Sequence, residues 1–175
     1  MKKVAVVVDN PFMSSPIQEQ SSPIPSPFDV LGIQPAFDLP KLKEQFLKAQ
    51  LAWHPDQFMT VTKKRVAEVK FSAIVAAYEV LKDLKTRAQC LLKLHQVWPL
   101  PQAEPKTLME VMTLQEKIEA GTCTKAQLES FEGDAFTCMK NAFLGQDWTH
   151  AAHAYTRWTM ILRLRESTQD KGQES

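Results

Sequence analysis

Apolar residues recur along this chain at helical spacing, interrupted by two proline-rich stretches. Leu39, Leu42, Phe46, Ala49 and Trp53 fall three to four residues apart and form the stripe of one amphipathic helix. Asp38 is placed to cap it, with Leu39 and Pro40 opening the first turn. Pro55 lacks an N–H and forces His54 out of the helical region, so this helix should stop near Trp53. A second long helix is expected from Lys63 to Lys82, capped by Thr62. It carries two apolar stripes, one of Phe71, Ile74, Tyr78 and Leu81 and one of Val66, Val69, Ala73, Ala76 and Val80. Two stripes predict packing from two sides. A further helix from Lys85 to His95 would bury Ala88, Leu91, Leu92 and Leu94. Beyond it, three helices are expected at 106–120, 125–144 and 148–167, with Gly121 and Gly145 stopping the first two. Thr124 and Asp147 are the caps of the second and third, and Ala151, Tyr155, Trp158 and Leu162 line one face of the last. Short connections favour antiparallel neighbours, hence a three-helix bundle.

The expected fold class is all-α, a helical hairpin followed by that bundle. Residues 1–27 hold five prolines and five serines and read as a mobile tail, and 168–175 as a short polar one. Between the blocks at 28–97 and 106–167, residues 98–105 contain three prolines and read as a semi-rigid linker. Only 5 glycines in 175 residues agree with helices rather than hairpins. Hydrophobic residues at 44% and charged ones at 23% give a globular composition, and no apolar run reaches the roughly 18 residues that span a bilayer. Cys90, Cys123 and Cys138 are an odd number without a CxxC pair, against a disulfide framework or zinc ribbon and in keeping with a reducing cytoplasm. The run Val4–Val8 after Lys2 and Lys3 is too short for a signal-peptide core, and no address is legible.

One tripeptide carries chemistry. His54-Pro55-Asp56 lies in the turn between two helices that must pair antiparallel. With Phe28-Asp-Val-Leu31-Gly32 upstream and the Phe71–Asp83 segment downstream, it resembles the J-domain of DnaJ-type co-chaperones. The resemblance implies that this triad stimulates ATP hydrolysis by a DnaK-class chaperone. The residues suit docking: Pro55 restricts the turn, Asp56 accepts charge-assisted hydrogen bonds, and His54 offers a polar ring on a fixed backbone. No nucleophile, phosphate loop or carboxylate pair accompanies them, so no catalytic residue and no cofactor are expected here. The net charge of +1 hides opposed halves: residues 41–87 carry ten Lys/Arg against five Asp/Glu, and 104–175 carry eight against eleven. Lys41, Lys43 and Lys48 lie off the buried stripe, where J-domains present cations to an acidic chaperone surface. Leu47, Ala52 and Gln57 replace residues that are often basic there. Leu51, on the outward face, shifts the expected interface toward apolar contact.

The segment Asp83-Leu-Lys-Thr-Arg87-Ala88 through Leu94-His95 resembles the connection following the J-domain in HscB-type co-chaperones of iron–sulfur cluster assembly. Leu108-Met109-Glu110, Glu116, Trp148, Ala151-Ala152 and Arg157 are similar to that family's C-terminal bundle. Gln96 stands where the family commonly has glycine, and no zinc-binding cysteine extension is seen. The resemblance implies two partners, an IscU-type iron–sulfur scaffold bound by the bundle and the chaperone HscA, with no nucleic acid and no membrane. The helical wheel is an independent test. With Leu108 at zero and about 100° per residue, Val111, Leu114 and Ile118 fall near −60°, −120° and −80°, a core stripe. Met112, Glu116 and Met109 fall near +40°, +80° and +100°, a separate outward stripe. Leu108, Met109, Met112 and Glu116, joined by Met160 of the last helix, match the positions implied for scaffold binding. Thr113 and Ala120 stand where relatives are acidic. The alternative is that these methionines merely fill a wide core.

Three alternatives stay open at this stage. The chain could be a J-protein with another client. It could bind metal through His150 and His153, one turn apart, with Cys138 or Asp147. It could be an oligomerisation bundle without either partner.

Overall fold

The computed structural model of the chain describes residues 25–171. The expected tail therefore lies outside the described residues up to position 24, as do residues 172–175. Among the described residues there are seven α-helices, one 3₁₀ turn and no strand. The fold is all-α.

Helix α1 (Pro27–Leu31) starts inside the expected tail. Ser26 accepts the Asp29 N–H and the Asp29 carboxylate accepts the Ser26 N–H at 3.0 Å, a reciprocal capping box with Pro27 in the first turn. Gly32 ends it in the left-handed region (φ +63°). Helix α2 (Leu42–Ala52) begins later than expected, and Asp38 does not cap it. Pro40 keeps Leu39 extended, so Leu39–Leu42 forms a tight turn, the Leu42 N–H donating to the Leu39 carbonyl at 3.1 Å. Helix α3 (Val61–Lys82) is capped by Thr60, not Thr62, the Thr60 hydroxyl accepting the Lys63 N–H.

The two long helices pair through Phe46 stacked on Tyr78 at 3.9 Å. The second apolar stripe of α3 is a correction to the two-sided packing expected. Helices α1, α2 and α4 pack on α3, whose Ile74, Ala77 and Leu81 are buried, whereas Val66, Val69, Ala73 and Ala76 face water and Val80 is only half-buried. Helix α4 (Leu84–Leu94) buries Ala88, Leu91 and Leu92, whereas Leu94 is 44% exposed. Arg87 is buried beneath it and donates to the carbonyls of Leu81 (2.6 Å) and Phe37 (2.9 Å), tying the loop before α2 to the end of α3. Burial lowers its guanidinium pKa, opposed by Asp38 and Asp83.

The turn after α4 puts Gln96 in the left-handed region (φ 60°), its N–H donating to Lys93 and that of Val97 to Leu92. A side chain there costs roughly 1 kcal/mol relative to glycine. Gln96→Gly should therefore raise the urea midpoint by an amount equivalent to about 0.5–1 kcal/mol, and an unchanged or lower midpoint would remove this account of the turn.

The second block is α5 (Pro105–Glu119), α6 (Lys125–Leu144) and α7 (Trp148–Lys171). Gly121 has the expected left-handed backbone (φ +66°). Gly145 does not: it is right-handed (φ −76°), and Gln146 (φ 57°) takes the left-handed position. Thr124 makes a capping box with Gln127, and Asp147 accepts the His150 N–H at 3.0 Å, as expected. Helix α7 runs past 167 to Lys171, so part of the expected polar tail is helical. Helices α6 and α7 form the main antiparallel pair, and α5 packs on α7. One continuous core joins both blocks. Phe37 stacks on Phe143 at 4.9 Å, His95 on Trp148 at 3.5 Å, and Gln89 donates to the Tyr155 hydroxyl at 2.8 Å.

Candidate functional site

The His-Pro-Asp turn stands at the tip of the α2/α3 hairpin, where the chain passes from one helix to the other, as a single 3₁₀ turn, Pro55–Gln57. Its backbone is fixed by hydrogen bonds from Gln57 to His54 (3.0 Å) and from Phe58 to Pro55 (3.2 Å). The His54 ring caps it, Nδ1 accepting the Asp56 N–H at 3.3 Å, which requires the neutral tautomer with its proton on Nε2. The Asp56 carboxylate lies 3.7 Å from the same nitrogen and is largely exposed, as is half of the His54 side chain. An aromatic bed sits underneath. Trp53 stacks on Phe58 at 5.9 Å, Phe71 meets the His54 ring edge-on at 5.7 Å, and Lys70 Nζ lies 3.6 Å over the Trp53 ring. The triad is thus presented to solvent on a rigid support.

Lys41 at the N-cap of α2 and Lys43 and Lys48 along the helix are exposed, and Leu51, near the turn, is 68% exposed. Lys48 forms an ion pair with Glu44 at 2.6 Å, which holds the Glu44 carboxyl below its ordinary value. Sequence reasoning missed two groups at this end. Met59 and Val61 are almost fully exposed beside the turn, and Lys63, Lys64 and Arg65 open α3 with no acidic residue in its first turn. Cations near a helix N-terminus oppose the macrodipole, and three consecutive ones in sequence were the available signal.

The second surface is the outward face of α5. Val111 and Leu114 are buried, as the wheel requires, while Leu108, Met109 (70%), Met112 (61%) and Glu116 are exposed. The methionines do not fill the core. Met160 on α7 is half-buried and packs against the core. Helix α5 is held by a two-pronged pair that spacing gave no means to foresee, Arg157 donating to both Glu110 oxygens at 2.8 and 2.6 Å. Beside Met109, a cavity of about 240 Å³ opens between α5 and α6, lined by Thr113, Leu114, Lys117 and Phe131.

Arg157, by hydrogen bond and then by charge, holds the Glu110 carboxyl below its ordinary 4.5. A lowered folded-state pKa stabilises fully above the unfolded value and is lost as pH falls through the folded one. At neutral pH Glu110→Gln should cost about 1–3 kcal/mol, and the gap to the parent should narrow on acidification below about pH 4.5. Denaturant titrations across pH check this, and a gap independent of pH would contradict it.

Comparison with known proteins identifies the family. Residues 26–90 match the DnaJ domain family. A co-chaperone protein HscB homolog of Vibrio cholerae is 30% identical, covering 81% of this chain and 94% of the relative. The chain belongs to the HscB family of J-domain co-chaperones. The solved structure of the HscB chaperone from Vibrio cholerae superposes with a TM-score of 0.60 at 25% identity, covering 85% of this chain and 98% of that one. Human HscB, at 23% identity, shows the same fold with a TM-score of 0.64, covering 86% of this chain and 83% of its own. The HscB fold places the α2/α3 turn and the α5 face on different blocks of one continuous core.

Within this HscB-family chain the histidines of the metal alternative diverge. His150 Nε2 faces Cys138 Sγ at 3.7 Å, whereas His153 Nδ1 faces Glu104 at 3.7 Å. No group of three metal-ligating side chains comes together among the described residues. No helix there is long and apolar enough to cross a membrane.

Proposed function

We propose that this chain carries an iron–sulfur scaffold protein of the IscU type to a DnaK-class chaperone, HscA, and stimulates that chaperone's ATPase. The observation that supports the reading is one chain with two separate exposed features, a hydrogen-bonded His-Pro-Asp turn and a methionine-rich face on α5. The chaperone is bound by His54, Pro55 and Asp56 with Lys41, Lys43, Lys48 and Leu51. The preset turn reduces the entropy lost on docking, and the basic hairpin steers toward an acidic partner. Exposed Leu51, with Met59 and Val61, adds apolar contact that survives higher salt than charge alone. Hydrolysis takes place in the chaperone, and this chain supplies no group to it.

The scaffold docks on Leu108, Met109, Met112, Glu116 and Met160. Flexible thioethers adapt to an apolar partner surface, and Glu116 sets its orientation. Thr113 and Ala120 supply no charge, while Lys117 borders the neighbouring cavity, so the matching scaffold surface is less basic than a partner of an acidic face. The cytoplasm is the compartment that suits three free thiols. A pull-down with the full chain as bait tests the client. Recovery of the scaffold supports the reading, and recovery of a different protein in its place assigns the chain to another client.

A further inference from the structure

Three cysteines of this chain are free and half-buried, and their surroundings differ. Cys90 sits on α4, where burial pushes its thiol up. Cys123 lies in the turn before α6 and faces the Thr124 carbonyl at 3.7 Å, which is an acceptor and not a base. Cys138 alone faces a base, the Nε2 nitrogen of His150 on α7 at 3.7 Å. His150 is exposed and held in the first turn of α7 by Asp147, whose carboxylate accepts its backbone N–H. Arg157, two turns further along α7, lies within electrostatic reach of Cys138 and of Asp134, one turn before Cys138 on α6. Arg157 is itself paired with Glu110, so the base that faces the thiol directly is His150.

We propose that Cys138 is a modification site that exchanges with small disulfides of the glutathione class, with His150 as its proton acceptor. The Cys138 thiol passes its proton to His150 Nε2, and the thiolate attacks one sulfur of the disulfide. The disulfide bond breaks, a new S–S bond joins Cys138 to that half, and the departing thiolate takes the proton back from the imidazolium. One thiol and one disulfide enter, and one thiol and one mixed disulfide leave. Both helices that hold the pair are fixed by the core, because Ala135 and Met139 on α6 and Ala151 and Ala154 on α7 are buried. The site is therefore preassembled and independent of either partner.

The test exposes the full chain to oxidised glutathione at neutral pH and follows each cysteine by peptide mass spectrometry. Cys138 is expected to acquire the adduct about five-fold faster than Cys90 or Cys123. His150→Gln should slow Cys138 about five-fold and leave the other two rates unchanged, with circular dichroism checking that the helices persist. Faster modification of Cys90 or Cys123, or a Cys138 rate indifferent to His150→Gln, would overturn the proposal. The comparison among three thiols within the parent chain needs no variant, so it decides even if the substitution disturbs folding.

Discussion

His54→Gln is expected to abolish stimulation of the HscA-type ATPase while the circular dichroism spectrum stays that of the parent. Half of the His54 side chain is exposed, and its contacts are few: a hydrogen bond from the Asp56 N–H, the Asp56 carboxylate at 3.7 Å and an edge contact with Phe71 of α3. Glutamine can cap the turn with its amide oxygen, so the loss of stability should stay within about 1 kcal/mol. What it cannot supply is the flat imidazole with its second ring nitrogen, the group that the proposed docking uses. Steady-state ATPase rates with and without the variant make the measurement. Retained stimulation would mean that the turn is only a turn. A variant that loses stimulation together with helicity would show His54 to be a structural residue.

The second large effect is expected on the other block. Met109→Ala together with Met112→Ala should weaken scaffold binding at least about ten-fold, because flexible apolar anchors at the centre of a contact carry much of its energy. The same pair should shift unfolding by less than about 1 kcal/mol, since both side chains are mostly in water already. Calorimetric titration with the scaffold and thermal denaturation separate the two. A large drop in melting temperature would move these methionines into the folding core, and unaltered affinity would move the scaffold to another face.

How far the sequence predicted these surfaces depended on whether the deciding interaction was local. The α5 assignment was legible because Val111, Leu114 and Ile118 share one side of the wheel and Met109, Met112 and Glu116 another. The triad was legible because Pro55 can only break a helix there. The second stripe of α3 misled, because periodicity reports an apolar face without reporting what covers it. Valines and alanines tolerate exposure, and the neighbouring helices leave this stripe largely uncovered. Turn residues were half right: glycine takes the left-handed position at Gly121, but after α6 that position falls one residue later, on Gln146. Arg87 reaching Phe37 and Arg157 reaching Glu110 join residues about fifty apart in the chain, and no spacing rule reveals such a pair. The aromatic bed under the turn lay in plain sight as Trp53, Phe58 and Phe71, but stacking needs three-dimensional proximity to be recognised.

The central claim is that one chain links a scaffold to a chaperone, and one assay addresses it directly. ATP hydrolysis by an HscA-type chaperone is measured alone, with scaffold, with this protein, and with both. The two together should raise the rate well above the sum of their separate effects, since each surface then holds its own partner. No stimulation in any combination with this protein would contradict it.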